Sequence, residues 1–168
     1  LEACAKTKKP VILSTGMATY EEVKKAYKIL KKYNNKISLL HCVSAYPASP
    51  VSCNLKSIDF LRTKFGCPVG WSDHTVNPLI IYNVIKFQKA DIIELHFDLE
   101  GYGWEEKEGN HHCWLPKDLQ KMISYINNEN SVMGSFKKKY SLAEKNERKF
   151  RADPLDGLRP LKKFRKFV

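Results

Sequence analysis

Val69-Gly70-Trp71-Ser72-Asp73-His74-Thr75 runs from an apolar approach through a glycine into a polar tip that carries a carboxylate and an imidazole. Asn77-Pro78 and the apolar run Leu79 to Val84 come next, and they read as an N-cap, a proline at the first helical position and a buried helical face. The local order is therefore strand, polar tip, helix. In a parallel α/β protein ligands bind at the carboxyl ends of the strands, which would set Ser72, Asp73 and His74 at the mouth of a site. A histidine in that place can cap a loop through a hydrogen bond, or it can hold an ion. The next strand-like run, Ala90 to Phe97, also carries a histidine near its end, His96. Adjacent parallel strands lie about 4.8 Å apart, so the two imidazoles could both reach one divalent metal at about 2.0–2.1 Å.

The same order recurs along the chain. Pro10 to Met17 reads as a buried strand ending in small polar residues, and Thr19-Tyr20-Glu21-Glu22 is a capping box ahead of an amphipathic helix with Val23, Ala26, Tyr27 and Leu30 on one face. Lys36 to Val43 is a second strand, continued through Ser44-Ala45-Tyr46-Pro47, with a helix at about Leu55–Phe65. The opening stretch, with a helix at about Pro78–Lys89, makes the third unit. The strand ending at His96, with a helix at about Pro116–Asn127, makes the fourth. Consecutive strand–helix units imply a parallel sheet with right-handed crossovers. In the fourth unit about eighteen residues, Asp98 to Leu115, separate strand from helix. A loop of that length reads as a lid or binding loop, and its His111-His112-Cys113 triplet is an alternative metal site.

Bulk properties exclude several classes. The 168 residues, 43 % apolar, suit one soluble domain. No run approaches the roughly 20 apolar residues that cross a bilayer, and no signal segment opens the chain, which together read as cytoplasmic. The five cysteines contain no C-x-x-C pair and read as reduced. The net charge of +11 is uneven, because residues 131–168 hold twelve Lys/Arg against four Asp/Glu. We therefore divide the chain into a nearly neutral body, 1–130, and a basic C-terminal extension, 131–168, with a helix expected at Leu142 to Arg151. The extension lacks the interleaved aromatics of a nucleic-acid stacking platform; its arginines could face an anionic ligand or form a solvated or subunit-contacting arm.

Four segments in order, Pro10-Val11-Ile12-Leu13-Ser14-Thr15-Gly16-Met17, Leu40-His41-Cys42-Val43-Ser44-Ala45-Tyr46-Pro47, Gly70-Trp71-Ser72-Asp73-His74-Thr75 and Glu94-Leu95-His96-Phe97, resemble the sialic acid (nonulosonic acid) synthases over residues 1 to about 127. The resemblance implies an α/β fold of the (β/α) TIM-barrel type, of which these are strands five to eight. The family's first four strands have no counterpart in the sequence, so it reads as the C-terminal half of a synthase barrel, inactive on its own. The implied reaction condenses phosphoenolpyruvate with an N-acylmannosamine-type sugar and releases phosphate. By the same resemblance His74 and His96 are ligands of a divalent metal, Mn2+ or Mg2+; Ser14, Ser44 and Ser72 contact phosphoenolpyruvate; and Tyr46, on the sugar side, and Asp73 are the catalytic residues. The partners implied are phosphoenolpyruvate, an N-acylated amino sugar and a second subunit in a homodimer, with no membrane and no specific nucleic acid. Two other readings stand beside this one. One is a related phosphoenolpyruvate-condensing sugar-acid synthase, and the other is a non-catalytic half barrel that binds a partner.

Overall fold

The computed structural model describes residues 1–100 and 111–165. It divides into two compact units, Leu1–Asn128 and Glu129–Val168. In the first, a short helix α1 (Glu2–Lys6) precedes β1 (Val11–Ser14), α2 (Tyr20–Lys31), β2 (Ile37–Cys42), α3 (Lys56–Phe65), β3 (Val69–Asp73), α4 (Pro78–Lys86), β4 (Ile93–Phe97), β5 (Cys113–Trp114) and α5 (Pro116–Asn127). All five strands are parallel and stand in sequence order, β1-β2-β3-β4-β5. A doubly wound sheet would reverse its strand order part-way. Sequential order with helices on one face is instead the arrangement of a barrel segment, here a half barrel.

Local signals in the chain set the helix starts. Thr19 and Glu22 close the capping box of α2, with the Thr19 N–H donating to Glu22 Oε2 at 2.7 Å. Asn77 caps α4 by accepting the Leu79 N–H at 2.9 Å, with Pro78 in the first turn. Gly66 ends α3 at φ 60°, a left-handed position that glycine adopts without a Cβ penalty.

Strand alternation sorts the side chains onto two faces. Leu39, Val69 and Trp71 are fully buried against Ile58, Ile81 and Val84 on the helix side, and this is the core. On the other face the register runs Ser14↔Leu40, Leu40↔Gly70, Cys42↔Ser72 and Ser72↔Glu94, with His96 two residues on. Ile12, on this inner face, is 54 % exposed.

Gly70 sits where the sheet is tightest, since a Cβ there would lie 2.1 Å from Ile92 O and 2.8 Å from Leu40 Cδ2. The first of these is backbone and can give way only if β3 and β4 separate. Gly70→Ala is therefore expected to lower stability by about 3 kcal/mol, at or above the upper end of ordinary overpacking, read as a shift in urea midpoint at unchanged slope. A midpoint equal to wild type would refute the tight approach.

Two expectations are corrected. The stretch taken as a continuous loop from Asp98 to Leu115 contains β5, which pairs His96↔Cys113 and Phe97↔Trp114. An apolar pattern could not reveal a two-residue strand. Residues 101–110, with Trp104, Glu105, Glu106 and Glu108, lie outside the described residues, and the lid reading falls largely on them. The helix expected at Leu142 to Arg151 is only a 3-10 turn, Glu147–Phe150, because that segment has too few apolar residues to bury a helical face. In the second unit, α6 (Glu129–Met133) precedes this turn. Asp153 there accepts the backbone N–H groups of Lys162 and Leu155, and Arg165 grips Asp156 with both terminal nitrogens at 2.5 and 2.7 Å. The Arg165 guanidinium holds the Asp156 carboxyl down to about 2. Arg165 is thus committed inside the chain, and Arg148 stacks on the Tyr140 ring at 4.1 Å.

Candidate functional site

The β3 terminus turns on Asp73. Its carboxylate is fully buried and accepts five hydrogen bonds: from Trp71 Nε1 (3.0 Å), Trp114 Nε1 (2.8 Å), Thr75 Oγ1 (2.7 Å), Thr75 N (3.2 Å) and Val76 N (3.1 Å). These bonds fold residues 73–76 back over the strand end and carry His74 to the loop after β2. His74 Nδ1 meets Val43 O at 2.7 Å, and Ala48 N donates to His74 O at 2.8 Å. A carbonyl partner assigns the proton to Nδ1 and leaves Nε2 as a lone-pair donor for a ligand.

Four rings gather at this end of the sheet. His74 and His96 have centroids 5.2 Å apart, on neighbouring parallel strands. Tyr46 lies 4.4 Å from His74 and 6.0 Å from His96, while His112 lies 4.9 Å from both His96 and Tyr46. Burial pushes the His96 pKa down, and the neighbouring His112 and His74 push it the same way. Among the described residues, ligating atoms of His96, His112 and Cys113 lie within 4.8 Å of one another.

The sequence-predicted residues separate into two groups. Ser14, Ser72 and His96 share the inner face by register and alternation, and Tyr46 and His74 join His96 through ring contacts. Ser44 covers Gly16 so closely that a Cβ there would meet Ser44 Oγ at 2.2 Å. Asp73, expected among the catalytic side chains, is instead turned to the helix side of the sheet with its oxygens fully engaged. The reason is the strand period of two, which puts Asp73 with Trp71 and opposite to Ser72.

The inner face also holds two residues that the expected set lacks. Glu94 accepts a hydrogen bond from Ser72 Oγ at 2.7 Å, and counting back two residues from His96 would have found it. His112 was visible only as part of a loop triplet, because its nearness to His96 depends on β5. A cavity of about 430 Å³ lined by Thr15, Met17, His41, Ser44 and Phe60, among others, shares only Ser44 with the expected set. It opens beside α2 and α3, and His41 within it is held below its usual pKa by burial. The rings, rather than this cavity, are where nitrogen and sulfur ligating atoms come together.

Residues 1–138 match the family model described as NeuB family. The chain belongs to the NeuB family. It is 36 % identical over 148 residues to the N,N'-diacetyllegionaminic acid synthase of Legionella pneumophila, covering 84 % of this chain and 40 % of that protein. It is 39 % identical over 142 residues to the uncharacterized protein MJ1065 of Methanocaldococcus jannaschii, covering 82 % and 40 %. Among solved structures, the N-acetylneuraminic acid (sialic acid) synthetase of Leptospira borgpetersenii superposes with a TM-score of 0.68 at 32 % identity, covering 87 % of this chain and 50 % of that one. The chain thus spans about two fifths of the curated relatives it matches. Its half barrel aligns with half of that synthetase. No helix among the described residues is long and apolar enough to cross a membrane.

Proposed function

We propose that this half barrel carries the metal-assisted, phosphoenolpyruvate-binding face of a nonulosonic acid synthase, which joins phosphoenolpyruvate to an N-acylated amino sugar and releases phosphate. The observation that carries the reading is the His74–His96 pair, 5.2 Å apart on neighbouring strands beside the inner-face serines, in a chain of the NeuB family.

The side chains fit the parts of that reaction. The Ser14 hydroxyl, with that of Ser44 at the β2 end, offers neutral donors to a phosphate and a carboxylate, and neutral donors let phosphate leave again. Ser72 gives its one hydroxyl proton to Glu94 at 2.7 Å, so toward a ligand its oxygen can only accept. Tyr46 walls the sugar side with its ring against His74. His74 is fixed in one tautomer by Val43 O, and with His96 it presents nitrogen donors at a spacing that suits a divalent ion. Such an ion, when bound, would supply Lewis acidity toward the sugar carbonyl oxygen. C3 of phosphoenolpyruvate would form the new bond to the carbonyl carbon as the carbonyl π pair moves onto its oxygen and takes a proton, and one water would be consumed as the ester bond to phosphate breaks, leaving the α-keto acid and free phosphate. Asp73 holds the turn that aims His74 and takes no part in bond making.

The test is phosphate release from phosphoenolpyruvate, with N-acetylmannosamine or a related N-acyl sugar, in a full-length synthase that carries this half barrel as its C-terminal half, since the half alone is expected to be inactive. Release that needs the sugar, stops on chelation and returns with a divalent ion is the expected result. Release unaffected by chelation would remove the metal-assisted reading.

A further inference from the structure

The region after β4 brings a second kind of donor to the His96 imidazole. β5 pairs in register with β4, so Cys113 stands directly beside His96 on the same face. His112 precedes it, with its ring 4.9 Å from that of His96. The ligating atoms of all three lie within 4.8 Å of one another, so they must draw together by up to about an ångström to reach the roughly 3.3–3.8 Å that bonds of 2.0–2.3 Å set between ligands of one tetrahedral ion. The position is not left to a loop, because Trp114, next in the strand, is fully buried and donates to Asp73 at 2.8 Å. Tyr46 closes the other side with its ring edge-on to His112.

We propose that His96, His112 and Cys113 form a two-nitrogen, one-sulfur ligand set, which selects a borderline ion of the zinc, cobalt(II) or iron(II) kind over magnesium. The proposal rests on His96 facing an ion, as in the function proposed above, and extends that site by two ligands. Thiolate and imidazole suit those ions, whereas magnesium demands oxygen donors in near-ideal octahedral array. His74 lies outside this group, with its ring 5.2 Å from that of His96, so the two sets have His96 in common.

Cobalt(II) titration of the chelator-treated full chain tests this without an activity assay. One equivalent should bind with a near-ultraviolet thiolate-to-cobalt band, and millimolar magnesium should not displace it. Cys113→Ser should abolish the band. His112→Ala should weaken cobalt binding by at least the roughly 10–100-fold that even an outer partner of a metal ligand is worth, and His112→Gln repeats the measurement in a side chain nearer in size. A wild-type spectrum with no thiolate band, or wild-type affinity in both His112 variants, overturns the proposal. If His74→Ala and His96→Ala abolish binding while the His112 and Cys113 variants bind as wild type, this set is wrong and the two-histidine site survives. Binding unchanged in His96→Ala removes both.

Discussion

His74→Ala is expected to lower sugar-dependent phosphate release by about a thousandfold while leaving the fold intact. The pair of imidazoles would become a single one, and loss of about 4 kcal/mol of transition-state stabilisation, within the several that a bound ion contributes, corresponds to that factor. The structural cost should be small by comparison. Most other bonds of the turn run to Asp73, and among the described residues the one side-chain hydrogen bond removed is that to Val43 O, about 1 kcal/mol. Paired measurements of turnover and of the urea midpoint separate the two effects. Turnover within tenfold of wild type would deny His74 a ligand role. A collapse in stability would show that the turn depends on the ring itself.

The opposite pattern is expected at Asp73, where the loss should be in folding. Asp73→Ala strands two indole N–H groups, on Trp71 and Trp114, both fully buried. It also releases three donors from Thr75 and Val76. Unsatisfied buried donors cost about 1–3 kcal/mol each, though such losses do not simply add. A decrease of about 4 kcal/mol or more is expected, which is a large part of the 5–15 kcal/mol typical of a domain. Asp73→Asn keeps the volume and one acceptor oxygen but sets an NH2 group against other donors, so it should recover part of the loss. Denaturant unfolding followed by tryptophan fluorescence reads this directly, since both indoles are the reporters. A change below about 1 kcal/mol in the alanine variant would mean that the five bonds do not hold the strand end.

These two neighbouring residues also mark how far the sequence could be read. The unit order, the capping box at Thr19, the Asn77-Pro78 helix start and the pairing of His74 with His96 were all legible, because each depends on residues within one strand–helix unit and on a regular strand spacing. The barrel type was legible too, through four segments in order and a set of strands that are consecutive neighbours. Asp73 was misplaced for a reason that is physical: a polar tip looks uniform in sequence, yet a strand sends Ser72 and Asp73 to opposite faces, and which face is the site depends on where the helices lie. The same period, once the inner face is known, brings in Glu94 beside Ser72.

The sequence alone determined the parallel strand–helix architecture, which local propensity and periodicity set, and, through the resemblance of four segments, the family; it also singled out the strand ends as the candidate site. Tertiary structure decided which residues share that place. The pairing of Cys113 with His96 and the bond from Trp114 to Asp73 join positions 17 and 41 residues apart, and no local pattern encodes a contact made only when β5 docks on the sheet edge.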